Sequence, residues 1–151
     1  MMDTNRFSEL LRQSRSGKTN VAGRQCVMVV DDDEIVRTSV ARMLEQEDYR
    51  IVGCADGRVA VAEASAETMC VVLDIKMSPV DGFWTYRKLR DRWPQMPIIF
   101  HSAYQDFEDH GTVMEDYKPY AYITKGTDPA VLLRVVGAAV KSYVKYLDRT
   151  R

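Results

Sequence analysis

The segment VMVVDDDEIVR (residues 27–37) decides the fold, because a short apolar run in it ends in a series of acidic residues. A continuous apolar run of this kind is typical of a strand that is buried on both faces of a sheet. Two like charges about 4 Å apart repel each other by roughly 4 kcal/mol at an effective dielectric constant of about 20. The sequence therefore predicts that a cation lies at the end of this strand.

Short apolar runs and helical patterns alternate along the chain from Cys26 onward. The runs that predict strands are CVMVV, YRIVGC, MCVVLD, PIIFHSA and YAYIT, and apolar residues recur at helical spacing between them. Crossovers of this length return each strand parallel to the strand before it. Five strands that alternate with five helices predict a parallel sheet covered by helices on both faces.

Two of the five predicted helices carry particular expectations. The fourth, from about residue 105 to residue 115, contains Gly111 and has the weakest periodicity. The fifth begins at Pro129, where Asp128 can cap it, because proline is favoured in the first turn of a helix.

The first 24 residues differ from the rest of the chain. RFSELLRQSR (residues 6–15) can form a short amphipathic helix, and a polar, glycine-containing stretch without periodicity follows it. We therefore expect an N-terminal extension over residues 1–24, a helical segment plus a flexible linker, and one domain over residues 25–151. The SGKT sequence in the linker lacks the preceding strand and glycine of a phosphate-binding loop.

Composition excludes several classes of protein. The 151 residues are 46% hydrophobic and 28% charged, which is typical of one globular domain, and the net charge of −1 attracts neither nucleic acid nor an anionic membrane. No apolar stretch has the length of a membrane span, and the N-terminus lacks the apolar centre of a signal peptide. We expect a cytoplasmic protein without direct nucleic acid binding. Its three cysteines, Cys26, Cys54 and Cys70, are expected to be buried, reduced thiols.

Polar residues follow four of the predicted strands at the point where each strand ends. They are Asp31, Asp32 and Asp33 after the first strand, Asp74 after the third, Ser102 at the end of the fourth and Lys125 after the fifth. The carboxyl ends of parallel strands meet at one edge of a sheet, where ligands bind. Carboxylates without histidine or cysteine suit a hard ion such as Mg²⁺. An aspartate, a metal, a lysine and a hydroxyl together predict phosphoryl transfer to Asp74.

Residues from about 26 to 145 resemble the receiver domain of two-component response regulators, the family of the chemotaxis response regulator. The motifs VMVVDDDE, LDIKMSPVDG, IIFHSA and YITK occur in the order of the family and close to its spacing. The resemblance implies a flavodoxin-like, doubly wound fold, with a five-stranded parallel sheet in the order 2-1-3-4-5 and five flanking helices. It also implies a phosphorylation-controlled switch rather than an enzyme.

The resemblance assigns a role to each polar residue at the strand ends. Asp74 would accept a phosphoryl group from a sensor histidine kinase or a phosphotransfer protein. The groups that would hold Mg²⁺, or Mn²⁺ in its place, are Asp31, Asp32, Asp74 and the backbone carbonyl of Lys76. Lys125 matches the lysine that pairs with phosphate, while Ser102 and Tyr122 match the hydroxyl and the aromatic residue of the switch. Phosphorylation would change the surface of the fourth helix, fifth strand and fifth helix.

The chain departs from the family pattern in two places. Pro79 stands one residue later than the proline of the family, which leaves the conformation of that loop open. Gly126 follows Lys125 where many members have proline, so we expect a trans peptide bond there, since a cis bond before a residue other than proline costs about 2.5–4 kcal/mol. Asp33 and Glu34 are expected at the start of a helix, where the helix dipole favours acids.

Two other functions use similar folds. A magnesium-dependent phosphatase with an aspartate nucleophile would carry a second acid two residues after Asp74, where this chain has Lys76. A flavin-binding electron carrier needs a glycine- and hydroxyl-rich loop after its first strand, and the acids there would repel the flavin phosphate. His101 and His110 show no pattern of a metal site or a catalytic base.

The last predicted helix has an apolar pattern that continues to its end. From Pro129 to about residue 149 it would run about 30 Å, longer than the roughly 17–20 Å of a typical strand. Its apolar residues Val140, Tyr143, Val144 and Leu147 would then face water unless something covered them. We predict a homodimer through this stripe or its contact with an output domain outside this sequence; the alternative is a monomer in which Phe7, Leu10 and Leu11 cover it.

Overall fold

Five parallel strands and five helices alternate in the computed structural model, which describes residues 23–103 and 110–150. The strands are β1 (Cys26–Val30), β2 (Arg50–Cys54), β3 (Thr68–Leu73), β4 (Ile98–Ser102) and β5 (Ala121–Thr124). The helices are α1 (Glu34–Gln46), α2 (Gly57–Glu63), α3 (Gly82–Arg92), α4 (His110–Tyr117) and α5 (Pro129–Thr150). The sheet order is β2-β1-β3-β4-β5, and the predicted fold is confirmed.

The two central strands explain why the sequence has continuous apolar runs. Every residue of β1 and of β3 is buried, because helices cover both faces of the sheet. In register, Val27 of β1 lies opposite Ile51 of β2 on one side and Cys70 of β3 on the other. Asp31 and Asp74 follow these two neighbouring strands directly, so the register brings the two acids to one edge.

Aspartates begin four of the helices by accepting backbone N–H groups of the first turn. The pairs are Asp33 with Ile35 and Val36, Asp56 with Arg58, Asp81 with Trp84, and Asp128 with Ala130, at 2.8–3.3 Å. The predicted helix starts at Asp33 and Asp128 are thereby confirmed. Asp33 thus caps a helix and does not add a third charge from β1 to the acidic edge.

The fourth helix is real but ends later than the sequence predicted. Residues 104–109 lie outside the described part of the chain, and α4 continues to Tyr117. The hydroxyl of Tyr86 donates hydrogen bonds to the carbonyls of Tyr117 and Lys118, which ties the end of α4 to α3. This long-range contact, together with the buried Val113, stabilises a helix that its own periodicity favours only weakly.

The apolar stripe of α5 is covered by the chain itself, so the premise that it faces water is wrong. Val140 and Tyr143 are buried, and Val144 and Leu147 are partly buried against the core. Tyr146 is the large apolar side chain of this helix that stays exposed. The prediction of a homodimer therefore loses the apolar area from which it was argued.

Three smaller expectations can be compared with the structure. The cysteines are free and buried, as predicted, and burial raises the pKa of Cys70 to about 12 and that of Cys54 to about 11. No helix in the described part of the chain is both long enough and apolar enough to cross a bilayer. The predicted N-terminal extension falls almost entirely on residues 1–22, which lie outside the described residues, so the division at residue 24 stays a prediction.

We predict that Gly57→Ala destabilises the domain, because α2 and α3 are in close contact at Gly57. A Cβ there would overlap Oγ1 of Thr85 and approach Cγ2 of Val80 to 2.9 Å. Overpacking of this kind costs about 1–3 kcal/mol of the free energy of unfolding, measurable by urea denaturation.

Gly111→Ala is the matched control, because nothing lies within 4 Å of a Cβ at Gly111 in α4. There the same change is expected to stabilise the domain by about 0.5–1 kcal/mol. Equal effects of the two substitutions would contradict the close packing of α2 on α3.

Candidate functional site

Three carboxylates meet at the carboxyl edge of the sheet. One oxygen from each of Asp31, Asp32 and Asp74 lies within 4.8 Å of the others. Asp31 and Asp74 are 2% and 5% exposed, whereas Asp32 is exposed. The acids come from the ends of β1 and β3, and their close approach follows from the parallel pairing of these two strands. An all-oxygen cluster of this geometry fits Mg²⁺, which keeps several waters and uses few protein ligands.

Lys125 joins the two buried acids. Its Nζ lies 2.9 Å from Oδ2 of Asp31 and 3.3 Å from Oδ1 of Asp74. Burial lowers the pKa of Lys125, but the hydrogen bond that its ammonium donates to Asp31 and the charges of Asp74 and Asp31 outweigh burial and raise the pKa above its ordinary value. The lysine is therefore cationic and offsets one of the three carboxylate charges. The two negative charges that remain match the charge of a divalent cation.

Asp74 has an unusual pKa for an aspartate. Burial, and after it the neighbouring charge of Asp31, raise the pKa from 3.8 to about 6, although Lys125 and the N–H of Ile75 act in the opposite direction. At neutral pH the carboxylate is therefore mostly ionised, but its charge raises the free energy of the folded state. The free energy of such a carboxylate falls when a cation neutralises its charge or a covalent bond removes it.

Backbone contacts fix Asp31 and Asp74 in place. Oδ1 of Asp31 accepts the N–H of Asp33 at 2.9 Å, and the guanidinium of Arg37 donates to the carbonyl of Asp31 at 2.8 Å. A Cβ at Gly82 would overlap the carbonyl oxygen of Asp74, and the N–H of Gly82 donates to the carbonyl of Ile75 at 2.7 Å. Arg37 and Gly82 were not predicted as site residues. The sequence contains a signal only for Gly82, which ends the motif LDIKMSPVDG together with Asp81.

The remaining predicted residues lie at the end of β4, on β5 and in the loop after β3. Ser102 is buried at the end of β4, and its carbonyl accepts the N–H of Lys125 at 2.6 Å. Tyr122 in β5 is half-buried, with its ring 6.3 Å from the ring of Phe100. Lys76 follows Asp74 in the loop before α3, and its side chain is exposed.

Two peptide bonds answer the questions raised by the departures from the family pattern. In the described part of the chain the cis bond is Ser78–Pro79, so the bond between Lys125 and Gly126 is trans, as predicted. Gly126 has φ +93°, a conformation that glycine adopts without strain, and the chain turns there from β5 toward α5.

His101 is neutral in this environment. Burial, and after it the positive charge of Lys125, lower its pKa to about 4. His101 is half-buried in β4, and its neutral imidazole adds no charge beside Lys125.

A family model described as "Response regulator receiver domain" matches residues 27–137. The chain belongs to this family. The matched residues include every predicted site residue, and the receiver domain of a two-component response regulator is the function that the family, the fold and the acidic pocket show together. The phosphatase alternative is not favoured.

Two curated relatives are longer proteins that contain a segment similar to this chain. The chain is 32% identical over 80 residues to a protein-glutamate methylesterase/protein-glutamine glutaminase of Trichodesmium erythraeum. The aligned residues make up 51% of this chain and 23% of that protein. It is 29% identical over 120 residues to the alkaline phosphatase synthesis transcriptional regulatory protein PhoP of Bacillus subtilis, covering 79% of this chain and 48% of that protein. The chain thus spans less than half the length of either relative.

A solved structure of a CheY-like receiver domain protein from Methanospirillum hungatei JF-1 has the same fold. The TM-score is 0.73 at 24% identity, with 82% of this chain and 99% of that chain covered. At this identity the likeness concerns the fold alone. It agrees with the strand order β2-β1-β3-β4-β5 of this receiver domain.

The raised pKa of Asp74 predicts a loss of stability as the pH rises. The folded receiver domain holds the Asp74 proton more tightly than the unfolded chain, so this stabilisation is complete below pH 3.8 and is lost as the pH rises through about 6. The effect on the free energy of unfolding is about 3 kcal/mol at most. We expect urea denaturation in the presence of EDTA to show this loss of stability with rising pH in the wild type and not in Asp74→Asn. Parallel pH profiles of the two proteins would contradict the raised pKa.

Proposed function

We propose that Asp74 is the phosphoacceptor of this receiver domain, and that Asp31, Asp32, Asp74 and the carbonyl of Lys76 hold the Mg²⁺ that the reaction needs. The observation that carries the proposal is the Lys125 ammonium, which contacts Asp31 and Asp74 at 2.9 and 3.3 Å beside a cluster of three carboxylates. A cation placed between two acids is poised to pair with a phosphoryl group bound to one of them.

The chemistry of Asp74 follows from its environment. An ionised oxygen of Asp74 attacks phosphorus, and the bond between phosphorus and the donor's nitrogen or oxygen breaks. Because the pKa of Asp74 is about 6, the carboxylate is available at neutral pH. Lys125 then pairs with phosphoryl oxygens, while Arg37 holds the backbone of Asp31, and Gly82 holds the backbone of Ile75, the residue after Asp74. When bound, Mg²⁺ supplies further positive charge against the phosphoryl oxygens.

We propose that Ser102 and Tyr122 convert this modification into a change of surface. The buried hydroxyl of Ser102 donates a hydrogen bond to a phosphoryl oxygen, which moves the end of β4 toward Asp74 and leaves room for Tyr122 to turn inward. The surface of α4, β5 and α5 changes as a result. A shift of this kind requires that the phosphoryl group bind the two conformations with different affinity.

The partner in this proposal is a sensor histidine kinase or a phosphotransfer protein in the cytoplasm, with no direct contact to nucleic acid. A groove of about 390 Å³ lies beside Lys125, between α1 and the loop that leads into α5. Ile35 on its rim is 81% exposed, although it is a large apolar residue. An apolar residue exposed beside the phosphorylation site suits contact with the protein that delivers the phosphoryl group.

The role of the chain is that of a switch whose reactions are its own phosphorylation and dephosphorylation. The two relatives are longer than this chain, so the proposal concerns the receiver domain alone. Dimerisation through α5 stays a prediction without its original support, since the apolar stripe is covered. Sedimentation of the full chain at tens of micromolar, with and without residues 1–24, tests it.

Phosphorylation is expected to depend on Asp74 and on a divalent metal. Acetyl phosphate should label the wild type only with Mg²⁺ or Mn²⁺ present, and Asp74→Asn should remove the label completely. Asp91→Asn, which changes an exposed acid on α3, is the control and should label normally. Intact-mass spectrometry measures the added phosphoryl group, and a label that persists in Asp74→Asn would place the acceptor elsewhere.

Ser102→Ala is expected to separate phosphorylation from switching. The variant should still bind beryllofluoride with Mg²⁺ at Asp74, because Ser102 is neither the acceptor nor a metal ligand in the proposal. NMR shifts of Tyr122 and of α5 should then respond at least about twofold less than in the wild type, since the switch equilibrium has lost one stabilising bond. Equal shifts in both proteins would refute the coupling.

Ile35→Asp is expected to slow delivery from a protein donor only. Charge at the centre of an apolar contact costs about 1–3 kcal/mol of binding free energy, so phosphotransfer from a sensor histidine kinase that labels the wild type should slow about tenfold or more. The rate with acetyl phosphate should stay unchanged, because Ile35 is not part of the acid cluster. A similar loss with both donors would mean that the substitution damages the site itself.

A further inference from the structure

A second concave site lies at the opposite edge of the sheet, far from the acid cluster along the strands. It is a cavity of about 490 Å³ between the segments that lead into β4 and β5 and the last turns of α5. Five tyrosines line it: Tyr86, Tyr117, Tyr120, Tyr143 and Tyr146. Its volume falls within the range of about 300–1,000 Å³ that small-molecule sites occupy.

The tyrosines leave aromatic surface open to a ligand. The rings of Tyr143 and Tyr146 are stacked, with centroids 6.0 Å apart and planes 10° from parallel. Tyr120 and Tyr146 are 44% and 41% exposed, although large apolar side chains are mostly buried in the described part of this chain. Exposed aromatic faces around a cavity are suited to stacking against another planar ring.

The charge of the cavity is positive. Arg90 and Lys118 line it, and none of its lining residues in the described part of the chain is an aspartate or a glutamate. Arg90 is held rigidly, because its guanidinium lies 5.1 Å from the centre of the Tyr86 ring and donates hydrogen bonds to the carbonyls of Trp93, Pro94 and Met96. A fixed cation among aromatic walls favours an anion.

We propose that this tyrosine cavity binds a small planar aromatic ring that carries an anionic group. The ring stacks on Tyr146 and its neighbours, and the anion faces Lys118 and Arg90. An aromatic carboxylic acid and a mononucleotide share this chemistry, since each joins a planar ring to a negative charge. The cavity is present without phosphorylation of Asp74, so binding there does not require it.

The cavity is also connected to the switch by ring contacts. The rings of Tyr86 and Tyr117 lie 5.4 and 6.4 Å from the ring of Phe100, and Phe100 lies 6.3 Å from Tyr122. Occupancy of the cavity is therefore coupled to the position of Tyr122. This coupling rests on the proposed function, and it must be reciprocal: the ligand changes the affinity for a phosphoryl group as much as the phosphoryl group changes the affinity for the ligand.

NMR titration of the full chain tests the site. Indole-3-acetate and AMP represent the two sources of the ligand, and saturable shifts of the cavity tyrosines with either one, at a dissociation constant of about 1 mM or tighter, would support the proposal. Tryptamine, which has the same ring and the opposite charge, should bind at least about tenfold more weakly. Failure of both anions to bind, or equal binding of tryptamine, would overturn it.

Substitutions locate the binding. Tyr146→Ala should weaken binding about tenfold through lost stacking, whereas Tyr146→Phe should stay within about twofold of the wild type. Lys118→Glu should weaken binding about tenfold, while Lys141→Glu makes the same charge change on an exposed part of α5 outside the cavity and should have little effect. Equal effects of the two lysine substitutions would place the ligand elsewhere.

Beryllofluoride with Mg²⁺ tests the coupling. If it shifts the amide signal of Asp74, the affinity for the bound probe should change by about fivefold or more. An affinity unchanged by a beryllofluoride complex at Asp74 would refute the coupling and leave the site standing. Absence of any Asp74 shift would refute the proposed function, and the coupling with it, while the titrations without beryllofluoride would still decide the site.

Discussion

The structure depends on the contact between two buried acids and one lysine at the carboxyl edge of the sheet. Asp31 and Asp74 repel each other, and burial adds to the cost of their charges, so the pKa of Asp74 rises to about 6. The apolar strands that precede the acids leave them no other position, because every residue of β1 and β3 is buried. Lys125 relieves part of the repulsion. The negative charge that remains makes this edge suited to a cation, and the cost of that charge in the free energy of folding falls on the residues of the candidate site.

This arrangement explains why so much of the fold and of the site could be predicted from the sequence. A short run such as CVMVV is typical of a strand between two covered faces, and the carboxyl ends of parallel strands lie at one edge of the sheet. Asp31, Asp74 and Lys125 were therefore placed together before any distance was known. Arg37 and Gly82 could not be placed in the same way. The side chain of Arg37 joins α1 to the carbonyl of Asp31, and the N–H of Gly82 joins α3 to the carbonyl of Ile75. Neither residue type in isolation predicts such a contact.

The error over α5 has a related cause. Helical periodicity showed that Val140, Tyr143, Val144 and Leu147 share a face, but it could not show what covers that face. The layer beneath the helix is longer than a strand, because it also contains the segments that lead into the strands. Val144 and Leu147 lie beside Gly23, Arg24 and Met69 at the start of β1 and β3, and Tyr143 lies beside the segments before β4 and β5. These segments extend the layer beneath the helix, so most of the stripe is buried within one chain.

The strand β4 connects the two edges of the molecule. It is only five residues long, with Ser102 at the acidic edge and Met96 and Pro97 just before it at the tyrosine cavity. Phe100 lies between them, opposite Leu73 of β3, and contacts the rings of both Tyr86 and Tyr122. A close-packed interior transmits displacement because its side chains have few alternative positions. Any movement of Ser102 toward Asp74 must therefore be accommodated by Phe100 and its aromatic neighbours, two of which, Tyr86 and Tyr117, line the cavity.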